Sequence, residues 1–268
     1  MGDSFSNEIR ACIQERDFAR ADALCAAWEK CNRGKNETVL LYDLWSTVAR
    51  GQNHLDRAEE LLSRELELAR ECYDPYDTVL AGILHNLSML LDLQQKYAEA
   101  IPYAEEELSI LRNALPSTDP RIADCLLSLG KHHYELGRFA LAREFIYDAM
   151  ERYTKIHGRH SLGVSACLNN LGRILENEGE NEQSVPLFKE ATAIRRDLLG
   201  THEETAFTLL NYGTALVGTG SYREAERIIQ VLLECRDMYD ALGLWESRYC
   251  VAARDNLLLC WNAVCTPC

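Results

Sequence analysis

Apolar residues fall along this chain at helical spacing. Between Phe139 and Tyr153 they occupy Ala142, Phe145, Ile146, Ala149, Met150 and Tyr153, the three-and-four spacing that gives a helix one buried face. The stretch before it, Asp119 to Leu136, predicts a second helix. Asp119 can cap it, Pro120 suits its first position, and Gly137 breaks it. The pair is one copy of a repeating block. The signature Asn-(Leu/Tyr)-(Ser/Gly) stands at Asn86-Leu87-Ser88, Asn170-Leu171-Gly172 and Asn211-Tyr212-Gly213, with Ser128-Leu129-Gly130 between them. Its small third residue recurs at Ser46, Ser88, Gly130, Gly172 and Gly213, at steps of 42, 42, 42 and 41. A second small residue follows 12 later each time, at Ala58, Ala100, Ala142, Ser184 and Ala225. One small residue on each of two helices lets the pair approach closely, so the pattern predicts stacked helical hairpins.

The punctuation agrees with that division. Gly137, Gly179 and Gly220 end the first helix of their blocks, and an aromatic opens the second at Tyr97, Phe139 and Tyr222, with Asn181 the exception. Leu115-Pro116, His157-Gly158 and Leu199-Gly200 mark the loops between blocks. Pro102 and Pro186, two blocks apart, fall near the start of the second helix, where a missing N–H costs least. The reading is an N-terminal helical hairpin over 1–35, five full hairpins over 36–240, and a capping helix with a tail over 241–268. No low-complexity linker interrupts the blocks, so one solenoid is expected and not an array attached to a catalytic domain.

The small–aromatic–alanine pattern resembles the tetratricopeptide repeat, lengthened by about two helical turns. Those turns add roughly 7 residues and keep each buried face in register. With Leu199-Gly200-Thr201-His202 and His157-Gly158-Arg159-His160 as loops, and Cys167-Leu168-Asn169-Asn170-Leu171-Gly172 as a first-helix motif, the longer form is similar to the kinesin light chain repeat over about Thr38 to Asp240. The resemblance implies an all-α, right-handed superhelical solenoid whose first helices line a concave groove. Kinesin light chains carry a long heptad coiled coil ahead of their repeats, for which this sequence has no room. The expected likeness is therefore to free-standing, often bacterial, relatives.

In such a groove, residues two before and one after the small position point inward. The candidates for a protein-binding groove are His85, Asn86, Met89, Lys131, Tyr134, Asn169, Asn170, Arg173, Asn177 and Asn211. An Asn amide offers both a donor and an acceptor to an extended backbone, and the resemblance implies that such Asn residues and basic neighbours hold cargo peptides. Asp92, Glu135 and Glu176 dilute the basic character, so no preference for acidic peptides carries over. The same Asn residues can equally serve as hydrogen bonds between neighbouring hairpins.

Composition narrows the functions. A net charge of -14 argues against nucleic acid and against electrostatic binding to a membrane. No run of 18 apolar residues occurs and the first 20 residues lack a secretory signal design, so the expected location is cytoplasmic. The 11 cysteines are scattered, and reduced thiols used as small packing residues are the expectation. Cys125 and Cys167, one block apart at the same helical position, support it. His132-His133, and His157 with His160, invite a metal reading, but His157 and His160 fall in a loop between blocks with no carboxylate pair nearby, where a solvated loop is expected. Cys265-Thr266-Pro267-Cys268 is a C-x-x-C at the end of the sequence, where a redox or zinc role competes with a frayed tail. No phosphate loop, G-x-S-x-G or H-E-x-x-H appears, so no enzyme and no cofactor are expected.

The C-terminal segment is unusually apolar for a solenoid cap. Besides covering the last hairpin, Leu258, Leu259 and Trp261 are candidates for a contact with a partner, a second copy or a membrane surface. The function expected is a non-enzymatic scaffold or adaptor for a protein partner. The kinesin-light-chain resemblance suggests a tubulin-like filament as that partner. The alternatives are a sensor for a signalling peptide or transcription regulator, and a thiol- or metal-dependent protein using the C-terminal cysteines.

Overall fold

The computed structural model describes residues 2–31, 34–219, 225–244 and 247–265, without the side chains of 2, 3, 225–229, 248 and 259–265. Gly220, Tyr222, Trp245 and the Thr266-Pro267-Cys268 tail fall outside the described residues, as do the side chains of Ala225, Leu259, Cys260, Trp261 and Cys265. The chain is all-α, with thirteen helices and no strand among the described residues. Two compact units divide it, 1–138 and 139–268.

The first unit holds α1 (Gly2–Gln14), α2 (Phe18–Glu29), α3 (Lys35–Gly51), α4 (Leu55–Cys72), α5 (Thr78–Leu93), α6 (Tyr97–Ala114) and α7 (Pro120–Glu135). Consecutive helices pack as hairpins, and α3 also meets α1. Capping sets the entries. The Asp77 carboxylate accepts from the Val79 N–H at 2.8 Å, and Asp119 accepts from the Arg121 N–H at 3.1 Å with Pro120 at the first helical position. The ladder of small residues is buried here at Ser46, Ala58, Ser88, Ala100 and Gly130. The turn inside each hairpin needs one residue in the left-handed region. Gly137 takes it at φ 71°, and Gln95 and Asn53, one and two blocks earlier, take it at φ 61°. Glycine does this without strain, whereas a side chain costs about 1–2 kcal/mol there, less for Asn.

The second unit holds α8 (Phe139–His157), α9 (Leu162–Asn177), α10 (Asn181–Leu199), α11 (Glu203–Gly218), α12 (Ala225–Ala241) and α13 (Arg248–Cys265). Gly179 makes the same left-handed turn at φ 82°. Each helix packs on the next, and α11 also meets α9 and α13. Phe188, Tyr212, Ala215, Leu216 and Leu232 form one core; Ala206, Leu209, Cys235, Tyr239, Cys250 and Ala253 form another. Arg195, only 7 % exposed, ties the unit internally: its guanidinium donates to Ser165 Oγ at 3.2 Å and to the Glu204 carbonyl at 3.0 Å. On α13, Cys250 and Ala253 are buried and Leu257 packs on the Phe188 core, while Leu258 is 61 % exposed.

Pro102 and Pro186 are each the sixth residue of their helices, α6 and α10. That is one turn deeper than the free N–H groups of a helix start, so each removes a main-chain hydrogen bond and is not the costless placement expected from sequence. Cys12, Cys25, Cys125, Cys167, Cys235 and Cys250 are buried free thiols. Burial pushes the thiols of Cys25, Cys167 and Cys235 up to about 12, which keeps them protonated and unreactive.

Candidate protein-binding groove

In the first unit, α5 and α7 stand side by side above α6 and leave a cavity of about 280 Å³ between them. His85, Asn86 and Thr78 reach it from α5, Glu107 from α6, and Arg121 and Asp124 from α7. Glu107 is only 5 % exposed, an expensive place for a carboxylate, and His85 meets it: Nδ1 lies 3.1 Å from Oε1. Arg121 is held at the rim by Asp119, with Nε and Nη2 each 3.0 Å from its carboxylate oxygens. The cavity therefore offers a cation, an acid and an amide within one cleft.

The hydrogen bond that His85 donates to the Glu107 carboxylate holds the imidazole above its ordinary pKa, against the opposing effect of burial. A raised folded-state value means the contact stabilises most below the unfolded histidine value of about 6.5 and is lost as pH rises through the folded value. The His85 ring protons, followed by NMR, should titrate with a midpoint above 6.5 in the wild type and at a clearly lower pH in Glu107→Gln, where burial acts without the carboxylate. A wild-type midpoint below 6.5 would mean that burial outweighs the carboxylate.

A second cavity, of about 270 Å³, opens on the other side of α5, between it and α3 with α4 beneath. Asn36 and Asp43 line it from α3, Glu65 from α4, and Val79, Gly82 and Asn86 from α5, with Tyr73 beside them. Asn86 lines both cavities, and its amide forms no hydrogen bond among the described residues. The other candidates of this unit do not line either cavity. Met89 is 39 % exposed on α5; Lys131 Nζ lies 2.6 Å from Asp92 Oδ2; Tyr134 is half-buried on α7.

In the second unit the amides are occupied. Asn211 Nδ2 donates to Asn169 Oδ1 at 2.9 Å, joining α11 to α9 across one block, and Asn169 is 4 % exposed. Arg173 Nη1 lies 3.5 Å from Asn170 Oδ1, and the exposed Asn177 donates to the Arg173 carbonyl at 2.9 Å. Asn256 repeats the inter-block contact by donating to Thr214 Oγ1 at 2.9 Å. Among the described residues, no group of three or more His, Cys, Asp or Glu is placed to hold a metal ion. None of their helices is long and apolar enough to cross a membrane.

Sequence reasoning passed over Asp43, Glu65, Glu107, Arg121 and Asp124. Glu65 and Glu107 are 42 apart, as are Asp43 and His85, so both pairs hold the same positions in successive blocks. Acids on the apolar stripe of a second helix, recurring at the block period, were the available signal.

Paired helices of this length, buried small residues repeating along them from Ser46 to Gly213 and a polar cleft between first helices define a helical-repeat scaffold. The tetratricopeptide repeat family matches residues 38–113, 122–197 and 174–237, and the chain belongs to that family. Within it, the likeness is to chains of the kinesin light chain type. The Arabidopsis thaliana protein KINESIN LIGHT CHAIN-RELATED 1 is 18% identical over 86% of this chain, which spans 38% of that relative's length. The BtubC (BKLC) structure from P. vanneervenii shares the fold at a TM-score of 0.65 and 20% identity, covering 89% of this chain and 92% of that one. The quorum sensor NprR from B. thuringiensis shares it at a TM-score of 0.76 and 14% identity, over 97% of this chain and 70% of that one; NprR has also been solved with its cognate peptide NprX. The scaffold is consistent with a role in protein interaction.

Proposed function

We propose that this chain is a non-enzymatic adaptor that binds an extended segment of a protein partner along the first helices of its repeats, with the two cavities flanking α5 as its anchor points. The observation that carries the reading is Asn86. It stands between the cavities with a donor and an acceptor that no group among the described residues uses, and an extended backbone running past α5 needs both. Peptide binding by NprR on the same fold agrees with it. The similarity to BtubC, which covers nearly all of both chains, favours a second reading in which the partner is a tubulin-like filament. Co-sedimentation with polymerised tubulin-like protein separates the two.

The Asn residues should behave differently in the two units. Asn86→Ala should leave the thermal midpoint unchanged and weaken the partner about 2- to 12-fold, the equivalent of one hydrogen bond at roughly 0.5–1.5 kcal/mol. Asn211→Ala should instead destabilise the fold by about 1–2 kcal/mol, because it leaves the buried Asn169 Oδ1 without its donor. Calorimetric melts and pull-down with the purified partner measure both. Full binding by a folded Asn86→Ala protein would move the site away from α5.

A further inference from the structure

The cavity between α3 and α5 holds two acids and no basic side chain among its described lining residues. Glu65 is 3 % exposed, lines this cavity, and its Oε2 has no hydrogen-bond partner among the described residues. Asp43, which lines the same cavity and whose charge acts on Glu65, is another acid. One block later the same two positions hold Glu107 and His85, and there the imidazole sits 3.1 Å from the buried carboxylate. The second block thus supplies its cation from helix α5. The first block supplies an acid where the cation would be, beside an open cavity.

We propose that this cavity receives the basic side chain of a bound peptide, with its guanidinium or ammonium seated between Asp43 and Glu65. The assignment rests on the peptide-binding reading above and gives it a substrate class: extended segments carrying an arginine or lysine. A planar guanidinium can donate to both carboxylates at once, and the Asn86 amide is placed to take the adjoining backbone. In the unliganded protein, burial and the Asp43 charge raise the Glu65 carboxyl to about 9, so it carries a proton at neutral pH. A cation entering the cavity displaces that proton to solvent. Among the described residues, the other charges that act here are Arg50 on α3 and Arg10 on α1, both felt by Asp43. Tyr73 lines the cavity as well, and α5 contributes only Val79, Gly82, Ile83 and Asn86.

The probe is a blocked pentapeptide, acetylated and amidated, with one central arginine among alanines. Its controls are the citrulline version, which is neutral and nearly isosteric, and an all-alanine peptide with a free amino terminus. Binding is followed by NMR at the backbone amides of α3 to α5. The arginine peptide should bind at least tenfold more tightly than the citrulline peptide. Its affinity should rise with pH between 6 and 8, by up to tenfold per unit, with one proton released per peptide bound. Glu65→Gln, a neutral isostere of the protonated side chain, should fold normally, keep only the part of the arginine preference that Asp43 supplies, and lose the proton release and the rise of affinity with pH; an unchanged preference and pH profile in Glu65→Gln would overturn the assignment. Equal affinity of arginine and citrulline peptides for the wild type would overturn the assignment while leaving the groove reading intact. Absence of any shift in α3 to α5 would overturn it as well. Binding by the free-amino control as strongly as by the arginine peptide would transfer the site to a chain terminus. The groove reading fails on separate grounds, when Asn86→Ala leaves partner binding whole.

Discussion

Gly172→Leu is expected to lower the thermal midpoint by about 6–12 °C. Gly172 lies where α9 crosses α10, and a β-carbon built on it would stand 2.8 Å from both Cε1 and Cζ of Phe188. Phe188 is 0 % exposed and locked among Tyr212, Ala215, Leu216 and Leu232, so its ring has nowhere to turn. Overpacking of this kind costs about 1–3 kcal/mol, and a branched side chain against an immobile ring falls at the upper end. At roughly 2–4 °C per kcal/mol, that cost gives the expected shift. The mechanism has its own check. Phe188→Ala alone should cost about 3–5 kcal/mol by opening a cavity, but combined with Gly172→Leu the two should cost clearly less than their sum, since the leucine fills the vacated space. Circular dichroism melts of the four proteins measure the cycle. Strict additivity would mean that Gly172 and Phe188 are not the contact that limits the approach of α9 and α10.

The hairpins could be read from sequence because their determinants are local. A cap such as Asp119, a proline at position 120 and a glycine at 137 each act within one turn of where they stand, and small residues at a fixed period mark the crossings directly. The turns at Asn53 and Gln95 were not readable in that way. They adopt the same left-handed conformation as Gly137 with residues that do not announce it, because neighbouring repeats over-determine the geometry. The site divides along the same line. His85 and Asn86 were visible through the first-helix signature. Glu65 and Glu107 were not, because an acid on a helix normally signals a solvated face. Their burial depends on three helices brought together from different blocks. Nor could the sequence say which Asn amides are spent internally. Asn211 and Asn86 hold equivalent positions in the motif, yet only Asn211 finds a partner 42 residues away.

Glu65→Gln should make the protein more stable, and increasingly so as pH rises. The Glu65 carboxyl, ordinarily near 4.5, is raised to about 9 in the folded protein, first by burial and then by the Asp43 charge. A folded-state value above the unfolded one means that the native state holds the proton more tightly. This contribution is fully present below pH 4.5 and is lost as pH rises toward 9, at up to about 1.4 kcal/mol per pH unit. Glutamine matches the protonated side chain in shape and carries no charge at any pH. The two proteins should therefore have nearly equal stability at pH 4.5 and should differ by about 3 kcal/mol near pH 7. The gap should widen further until the Glu65 carboxyl is ionised. Urea unfolding at pH 5, 7 and 9 would show the divergence as a falling wild-type midpoint against a variant that falls less. Parallel pH profiles would mean that water or a shifted Asp43 solvates Glu65 well enough to ionise normally. A substitution that stabilises the free protein while weakening its discrimination between arginine and citrulline would identify Glu65 as a residue held at a cost to folding for the sake of binding.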